Sequence, residues 1–423
     1  MAKDCVVGLD IGTTKVCAIV GEVSEDGRVD IVGVGSSVSA GIRKGVVIDI
    51  EDAARAISEA VAAARQRTNY VINSVVVGVT GEHIASLNSR GVMAVTHASR
   101  EISAEDVNHV LQQARVIVLP PDREIIHAIP RTYTVDGQAG VRYPVGMAGT
   151  RLEVETHIVT GAVSLLQNVG KAVNRAGLSI SATVLQPIAS AEAVVTPAEK
   201  NLGVALVDIG GGTTDIAIFV DGDIAFSSVV PIAGVHVTRD ISIGLRVSLE
   251  EAERLKREYG AASSSGLDLG AADTIDVNGL DGETRNVPRR QLLDIVNPRV
   301  EEIFTCIKNE IDKSGYYNFL PAGIVLTGGG ALLPGMTTLC PEVTGLPARL
   351  GAPRDIVDLP ETLRSPIHAT GLGLVLYAAR YTRNPGANAI AVSARISERM
   401  GGFMQSLQRF FNRIMGTDIE EEN

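Results

Sequence analysis

The chain has little of what marks several common classes of protein. Only four of its 423 residues are cysteine (Cys5, Cys17, Cys306 and Cys340), at spacings that form no paired metal site. They read as reduced, partly buried thiols of a cytosolic protein. No run of about 18 to 20 apolar residues occurs, which leaves no candidate transmembrane helix. Seven histidines are scattered without a His-Glu-x-x-His arrangement, and each reads as a structural or surface group. Positive charge is in deficit: 38 Lys and Arg stand against 49 Asp and Glu, a net charge of −11. Bulk attraction to nucleic acid or anionic lipid is therefore not expected, although a local basic face could still act. The amino terminus carries Lys3 and Asp4 and then enters a strand, unlike a secretory signal. What is plentiful is apolar residue, 45% of the chain, in a length that suits roughly two to four domains with sizeable cores.

Glycine is concentrated in three turns. Val207-Asp208-Ile209-Gly210-Gly211-Gly212-Thr213-Thr214-Asp215 runs from an apolar stretch through an acid, three glycines and two threonines to a second acid. It then returns to an apolar stretch at 216–220, which predicts strand, tight turn, strand. Such glycines take positive φ and let a ligand approach the backbone. The turn amides, with Thr213 and Thr214, can donate to phosphate oxygens. Asp208, at the strand's end, suits a magnesium ion held through its waters. The device recurs at the start of the chain in Asp10-Ile11-Gly12-Thr13-Thr14-Lys15, where the lysine suits a β- or γ-phosphate. One Gly-Gly-Thr turn is common in ordinary hairpins; a matched pair suggests a duplicated fold closing around one nucleotide. A third turn, Thr327-Gly328-Gly329-Gly330-Ala331, follows a strand and precedes a helix, where an anion or a base can lie on the backbone. Glu253 and Lys256, three apart on one helix, can bond ribose hydroxyls and base, or can form a solvated ion-rich face.

Periodicity gives the rest of the frame. Strands at 5–9, 16–23 and 29–36 form an antiparallel meander with the phosphate-type turn at its first corner. A helix at 52–68 and a strand at 74–79 follow. The capping box Ser103-Ala104-Glu105-Asp106 opens a helix in a segment, 83–155, whose character differs from its flanks. That segment reads as an inserted small α+β domain or as a long excursion of the scaffold. Strands are expected at 154–159, 180–184 and 322–326, and helices at 164–175, 236–243 and 248–259. Further helices open at 186, about 336 and 369, and another spans 289–314, single or broken near Asn297-Pro298. Residues 260–285 are polar, and 381–397 read as a flexible linker.

The three turns, with Gln186-Pro187-Ile188-Ala189-Ser190-Ala191 and Ala369-Thr370-Gly371-Leu372-Gly373, resemble the five signature segments of the actin, Hsp70 and sugar-kinase superfamily. Within it, four further segments resemble the FtsA family of bacterial cell-division proteins. They are Val46-Val47-Ile48-Asp49-Ile50, Gly81-Glu82-His83-Ile84, Asn297-Pro298-Arg299 and Pro144-Val145-Gly146-Met147-Ala148-Gly149-Thr150-Arg151-Leu152-Glu153-Val154. The resemblance covers about residues 4–380 and the terminal helix. It implies an α/β, actin-like (ribonuclease H-like) duplicated fold with an interdomain nucleotide cleft and an inserted α+β subdomain in the first half. Subdomain 1A would take 1–83, 159–190 and 369–382, and the insert 1C would take 84–158. Subdomain 2A would take 191–230 and 320–368, 2B would take 231–319, the linker 383–400, and a membrane-targeting helix 401–416. By the same resemblance, ATP and Mg2+ would lie between Asp10, Gly12, Thr13, Thr14 and Lys15 on one side and Asp208, Gly211, Gly212, Thr213 and Thr214 on the other. Asp10 and Asp208 would serve the metal, and Glu253, Lys256, Gly328, Gly329 and Gly330 would hold adenosine. Hsp70-like ATPases and sugar kinases place a carboxylate near Gln186. A neutral glutamine cannot be a general base, but it can orient a water, and Asp208 remains a candidate base. Hydrolysis is expected to be slow or coupled to assembly.

The tail carries its own signal. Phe403, Met404, Leu407, Phe410, Phe411 and Ile414 fall on one helical face with Arg409 and Arg413 at its margin. This suits an interfacial membrane helix. A helix docked on the protein's own core or on a partner would show the same face, although the preceding linker argues against the core. FtsA-like proteins end in a membrane-targeting helix. Asp418, Glu420, Glu421 and Glu422 are repelled by anionic lipid, so stable attachment should need several tails, as a polymer supplies. The family also implies that the subdomain around 289–304 binds the C-terminal tail of the tubulin-like FtsZ. Arg290 and Arg299 could pair with its acidic groups or be solvated helix charges. The function expected is an ATP-binding, polymerising protein that tethers the FtsZ ring to the cytoplasmic face of the cell membrane at the division site. Other division proteins would be partners, and nucleic acid would not. The rivals are a metabolic kinase or Hsp70-type ATPase, and the related pilus-assembly platform.

Overall fold

The apolar runs on either side of the first glycine turn pair as expected. β1 (Asp4–Ile11), β2 (Lys15–Val23) and β3 (Val29–Val38) form an antiparallel meander. The computed structural model describes residues 4–68, 70–96, 99–263, 273–354 and 356–383. A short pair, β4 (Ile42–Arg43) and β5 (Val46–Val47), leads to α1 (Ile50–Arg65). This helix starts two residues before the expected 52 because Asp49 is its N-cap, accepting from the Asp52 amide. Ala53, Ile57, Ala60, Val61 and Ala64 bury its inner face. β6 (Ser74–Val79) then lies parallel to β1.

A second, antiparallel sheet is inserted here. It comprises β7 (Ala85–Ala94), β8 (Arg123–Val135), β9 (Gln138–Val141) and β10 (Arg151–Ala162), in the order β7-β10-β8-β9. α2 (Ala104–Ala114) packs on it and opens with the expected reciprocal cap between Ser103 and Asp106. β10 is longer than the expected 154–159 and runs directly into α3 (Val163–Arg175). β11 (Ser179–Leu185) returns to the first sheet beside β6, and α4 (Gln186–Val194) and α5 (Pro197–Leu202) follow.

The second half repeats the first. β12 (Val204–Ile209), β13 (Thr214–Val220) and β14 (Asp223–Val230) are a second meander. After it come α6 (Gly234–Leu245), α7 (Leu249–Tyr259), the hairpin β15 (Thr274–Asn278) and β16 (Thr284–Pro288), and α8 (Arg289–Ser314). α8 is one continuous helix despite Pro298, with Val296 and Val300 buried on either side of the proline. β17 (Ile324–Thr327), α9 (Met336–Thr344), β18 (Ala348–Leu350) and α10 (Ala369–Arg383) complete the described chain. The two large sheets read β11-β6-β1-β2-β3 and β18-β17-β12-β13-β14. Each is a three-stranded meander extended by two parallel strands.

α4 and α10 pack together between the sheets. One apolar cluster joins Ala189 of α4 and Leu374 and Val375 of α10 with Ile19 of the first sheet and Leu206 and Val325 of the second. Each fully buried leucine, isoleucine or valine there contributes about 1.5–3 kcal/mol. The helices approach so closely that a Cβ on Gly373 would overlap the Ala189 carbonyl. This shared core fixes where the two glycine turns meet. No helix among the described residues is long and apolar enough to cross a membrane.

Candidate functional site

The two phosphate-type turns are built alike. The Gly12 amide donates to the Lys15 carbonyl (3.0 Å) in one, and the Gly210 amide donates to the Thr213 carbonyl (3.0 Å) in the other. They face each other across a narrow cleft. A Cβ on Gly211 would lie 2.5 Å from Thr14 Cγ2, and one on Gly212 would lie 2.6 Å from Thr13 Oγ1. The Thr13 hydroxyl accepts from the Gly45 amide (3.1 Å), which brings the loop between β4 and β5 to the cleft. Lys15 Nζ reaches the Ile367 carbonyl (2.7 Å) at the entrance to α10. Thr214 is fully buried and its hydroxyl donates to the Ile232 carbonyl (2.7 Å), so it braces the turn with that group.

Beneath the turns lie three buried carboxylates. Asp10 ends β1 and accepts from Gln186 Nε2 (3.2 Å) at the start of α4. Asp208 ends β12, and one of its oxygens accepts from Ser190 (2.6 Å) and Thr370 (3.1 Å), the latter from α10. Asp215 accepts from Thr213 (3.1 Å) and, across the cleft, from the Thr80 hydroxyl that follows β6. Burial pushes Asp10 up to about 6, against the pull of Lys15 and with a push from Asp208. Burial also raises Asp208, opposed by its bonds from Ser190 and Thr370 and by Lys15. Burial pushes Asp215 up to about 7, opposed by Thr80 and reinforced by Asp208. The acids thus disfavour one another's ionisation, while Lys15 favours that of Asp10 and Asp208.

The third turn packs directly on the second. Gly328 has φ +83°, and a Cβ there would strike Asp208 Oδ1. Only a residue without a side chain tolerates both the conformation and the space. A 3-10 turn, Gly329–Leu332, follows Gly328, and α9 opens at Met336, where the sequence places it. Lys256 and Glu253 form an ion pair (2.6 Å) on α7, and both reach the Thr238 hydroxyl of α6. Lys256 also donates to the Gly234 carbonyl (3.2 Å), beside the second turn. These two residues are thus a linked pair at the cleft edge rather than freely solvated charges.

Arg290 and Arg299 lie on α8. Arg290 is exposed, whereas Arg299 is held by Asp240 (2.5 Å) and by Glu302. Residues 381–383 of the expected linker instead close α10; the rest of the linker and the helical face Phe403, Met404, Leu407, Phe410, Phe411 and Ile414 lie outside the described residues. The sequence reading gave no role to Asp215, Thr80, Ser190 or Thr370. Asp215, Ser190 and Thr370 stand inside the signature segments, and Thr80 directly precedes Gly81-Glu82-His83-Ile84.

The chemistry of these groups fits a magnesium nucleotide. Opposed turn amides and hydroxyls suit phosphate oxygens. Among the described residues no group of three or more His, Cys, Asp or Glu could hold a metal ion between them. The buried pair Asp10 and Asp208 would suit a cation such as Mg2+, which keeps several waters and takes one or two carboxylates plus phosphate oxygens.

A duplicated α/β frame with opposed phosphate-type turns over a shared helical core defines the actin-like class. Solved structures agree on that fold. The PilM-PilN type IV pilus biogenesis complex matches with a TM-score of 0.64 at 20% identity, over 88% of this chain and 98% of that one. MreB5 of Spiroplasma citri bound to ADP matches with a TM-score of 0.54 at 13% identity, over 91% and 98%. The family described as "Cell division protein FtsA" matches residues 205–373, and that described as "SHS2 domain inserted in FTSA" matches residues 81–160. Proteins named cell division protein FtsA are similar along most of their length. The one from Pseudomonas aeruginosa is 44% identical over 88% of each chain. That from Bacillus subtilis is 38% identical over 90% of this chain and 84% of its own, and that from Escherichia coli K12 is 34% identical over 97% and 98%. The chain belongs to the FtsA family of cell-division proteins.

Proposed function

We propose that this cell-division protein binds ATP with Mg2+ between its two halves, assembles into filaments, and tethers the FtsZ ring to the cytoplasmic face of the membrane. One observation carries the nucleotide part: two matched turns close over three buried carboxylates, with one lysine between them. In this reading Gly12, Thr13, Thr14 and Lys15 bind phosphate from the first half, and Gly211, Gly212 and Thr213 from the second. Thr214 holds its turn through Ile232. Asp10 and Asp208 orient the cation's waters. Gly328, Gly329 and Gly330 line the base side with Lys256 and Glu253. Bound Mg2+ would neutralise phosphate charge and offset the excess of buried carboxylates.

Gln186 supports slow hydrolysis. It carries no proton-accepting carboxylate, and its amide nitrogen already holds Asp10. Asp208 is likewise occupied by two hydroxyls. The cleft is thus suited to retaining nucleotide more than to turning it over. Family membership favours this reading over a metabolic kinase, an Hsp70-type ATPase or a pilus platform. The four-part subdomain division, with the insert at 84–158, belongs to the same proposal. So does FtsZ-tail recognition by the α8 region, where exposed Arg290 is better placed for a new partner than the paired Arg299.

Attachment would come from Phe403, Met404, Leu407, Phe410, Phe411 and Ile414. Co-sedimentation with anionic liposomes tests it, comparing the full chain, a chain ending at residue 397 and Phe410→Glu with Phe411→Glu, each with and without ATP. The proposal expects only the unaltered full chain to sediment, and more of it with ATP, because filaments present many tails at once. Equal sedimentation of all three would sink the tether.

A further inference from the structure

The insert sheet grips both halves of the molecule at once. His127 of β8 and His157 of β10 lie on one face of it and on adjacent strands, since His127 pairs with Val159 and His157 with Ile129. Both rings are buried. His127 Nε2 accepts from the Leu185 amide (3.0 Å), the last residue of β11 in the first half. The next residue is Gln186, which holds Asp10.

His157 faces the other half. Its Nδ1 meets Asn88 Oδ1 at 2.8 Å, and its Nε2 meets the Ser227 hydroxyl of β14 at 3.1 Å. An amide oxygen only accepts, so Nδ1 carries the proton and Nε2 accepts from Ser227. Burial holds His127 at about 4 and His157 at about 3, so both rings are neutral, as these roles require. Asn88 of β7 also donates to the Ala225 carbonyl (3.1 Å), and Ser86 donates to the Ser227 carbonyl (2.7 Å). β14 leads on to Ile232, whose carbonyl receives the Thr214 hydroxyl of the second phosphate turn. At the far edge Arg131 bonds the Tyr316 hydroxyl (3.2 Å) beyond α8. The insert therefore holds each half within a few residues of a group that lines the cleft. It cannot leave either half without stranding buried donors and acceptors.

We propose that the insert sheet is a strap between the two halves, which sets how far they separate and so how fast nucleotide leaves the cleft. The proposal rests on the nucleotide reading above. By linkage it is reciprocal: whatever lifts the insert from β14 loosens nucleotide, and bound nucleotide fastens the insert.

The test uses the full chain carrying Asn88→Leu with Ser86→Ala, and the milder Ser86→Ala alone. Neither residue lines the cleft. Dissociation of a fluorescent ATP analogue is timed, and amide exchange is followed in the ligand-free protein. Dissociation should quicken about tenfold in the double variant and about threefold in the single one. Exchange should rise in both 184–190 and 205–216. Dissociation within about twofold of the unsubstituted chain, with exchange raised in β7 alone, overturns the strap. If the unsubstituted chain binds no nucleotide, the nucleotide reading fails. The strap is then decided by exchange alone: a rise in both cleft segments supports it, and no rise overturns it.

Discussion

The two halves share a strand order and the same hydrogen bond in their glycine turns, yet they diverge just after the turn. The first continues into Lys15, which reaches out to the Ile367 carbonyl. The second continues into Thr214 and Asp215, both buried. The first half supplies a mobile type of charge, a cation on a long stem; the second supplies a third fixed acid. The first also accommodates the insert between β6 and β11, whereas the second places α6, α7, a hairpin and α8 between β14 and β17. Duplication has produced two jaws, and divergence has divided the chemistry between them. In the proposed function, neither jaw alone supplies a complete nucleotide site.

The comparison breaks most severely where the jaws share a core. Gly373→Val forces a side chain into the Ala189 carbonyl and should destabilise the protein by about 3 kcal/mol, read by chemical denaturation. A single transition at an unchanged midpoint would show that α4 and α10 do not join the halves as described.

Asp208→Ala removes the acid at the end of β12, which the proposal gives to the cation. It should weaken Mg-ATP binding about 100-fold, roughly 2.7 kcal/mol, in calorimetric titration. Unaltered affinity would place the nucleotide elsewhere.

The acids also predict a pH dependence. Asp10 at about 6 and Asp215 at about 7, with Asp208 raised as well, bind protons more tightly in the folded than in the unfolded chain. Their contribution is fully present below the ordinary carboxylate range and is lost as pH rises through about 6 to 7. The ligand-free protein should therefore lose about 4 kcal/mol between about pH 5 and pH 8, and Asp215→Asn should flatten that slope. Thermal unfolding across that range decides it, and Mg-ATP should restore the stability lost at the higher pH.

Lys15→Met tests the asymmetry itself. It should weaken ATP about tenfold, close to 1.4 kcal/mol, with little effect on folding. The smallest effect is expected for Lys256→Met, about threefold on ATP and none on inorganic tripolyphosphate, because Lys256 sits with Glu253 on the base side. An equal loss for both ligands would move Lys256 to the phosphate side.

Much of this frame was legible because it is local. The pair Asp10-Ile11-Gly12 and Asp208-Ile209-Gly210 announces strand, turn and strand in each half, and Ser103 with Asp106 announces a helix start. The cap at Asp49 moved α1 by two residues, a shift that periodicity alone does not register. The joins between distant segments were not legible. Thr80 and Asp215 are 135 residues apart, and nothing near either one announces the other. From sequence, His127 and His157 read as structural or surface groups. They are structural, but each holds a different half, and only the strand register of the insert puts them side by side. Gly328 to Gly330 read as a turn before a helix opening near 336, and α9 does begin at Met336; the 3-10 turn between them carries no periodic signal.

The central claim is that one magnesium nucleotide lies between the two turns, against the third. The most direct measurement is calorimetric titration of ATP into the full chain with and without Mg2+, repeated with Gly328→Val. That substitution strains a positive-φ position and thrusts a side chain at Asp208. The account predicts single-site binding that depends on Mg2+ and is abolished by Gly328→Val in a protein that still folds. Binding that ignores Mg2+ and survives Gly328→Val would contradict it.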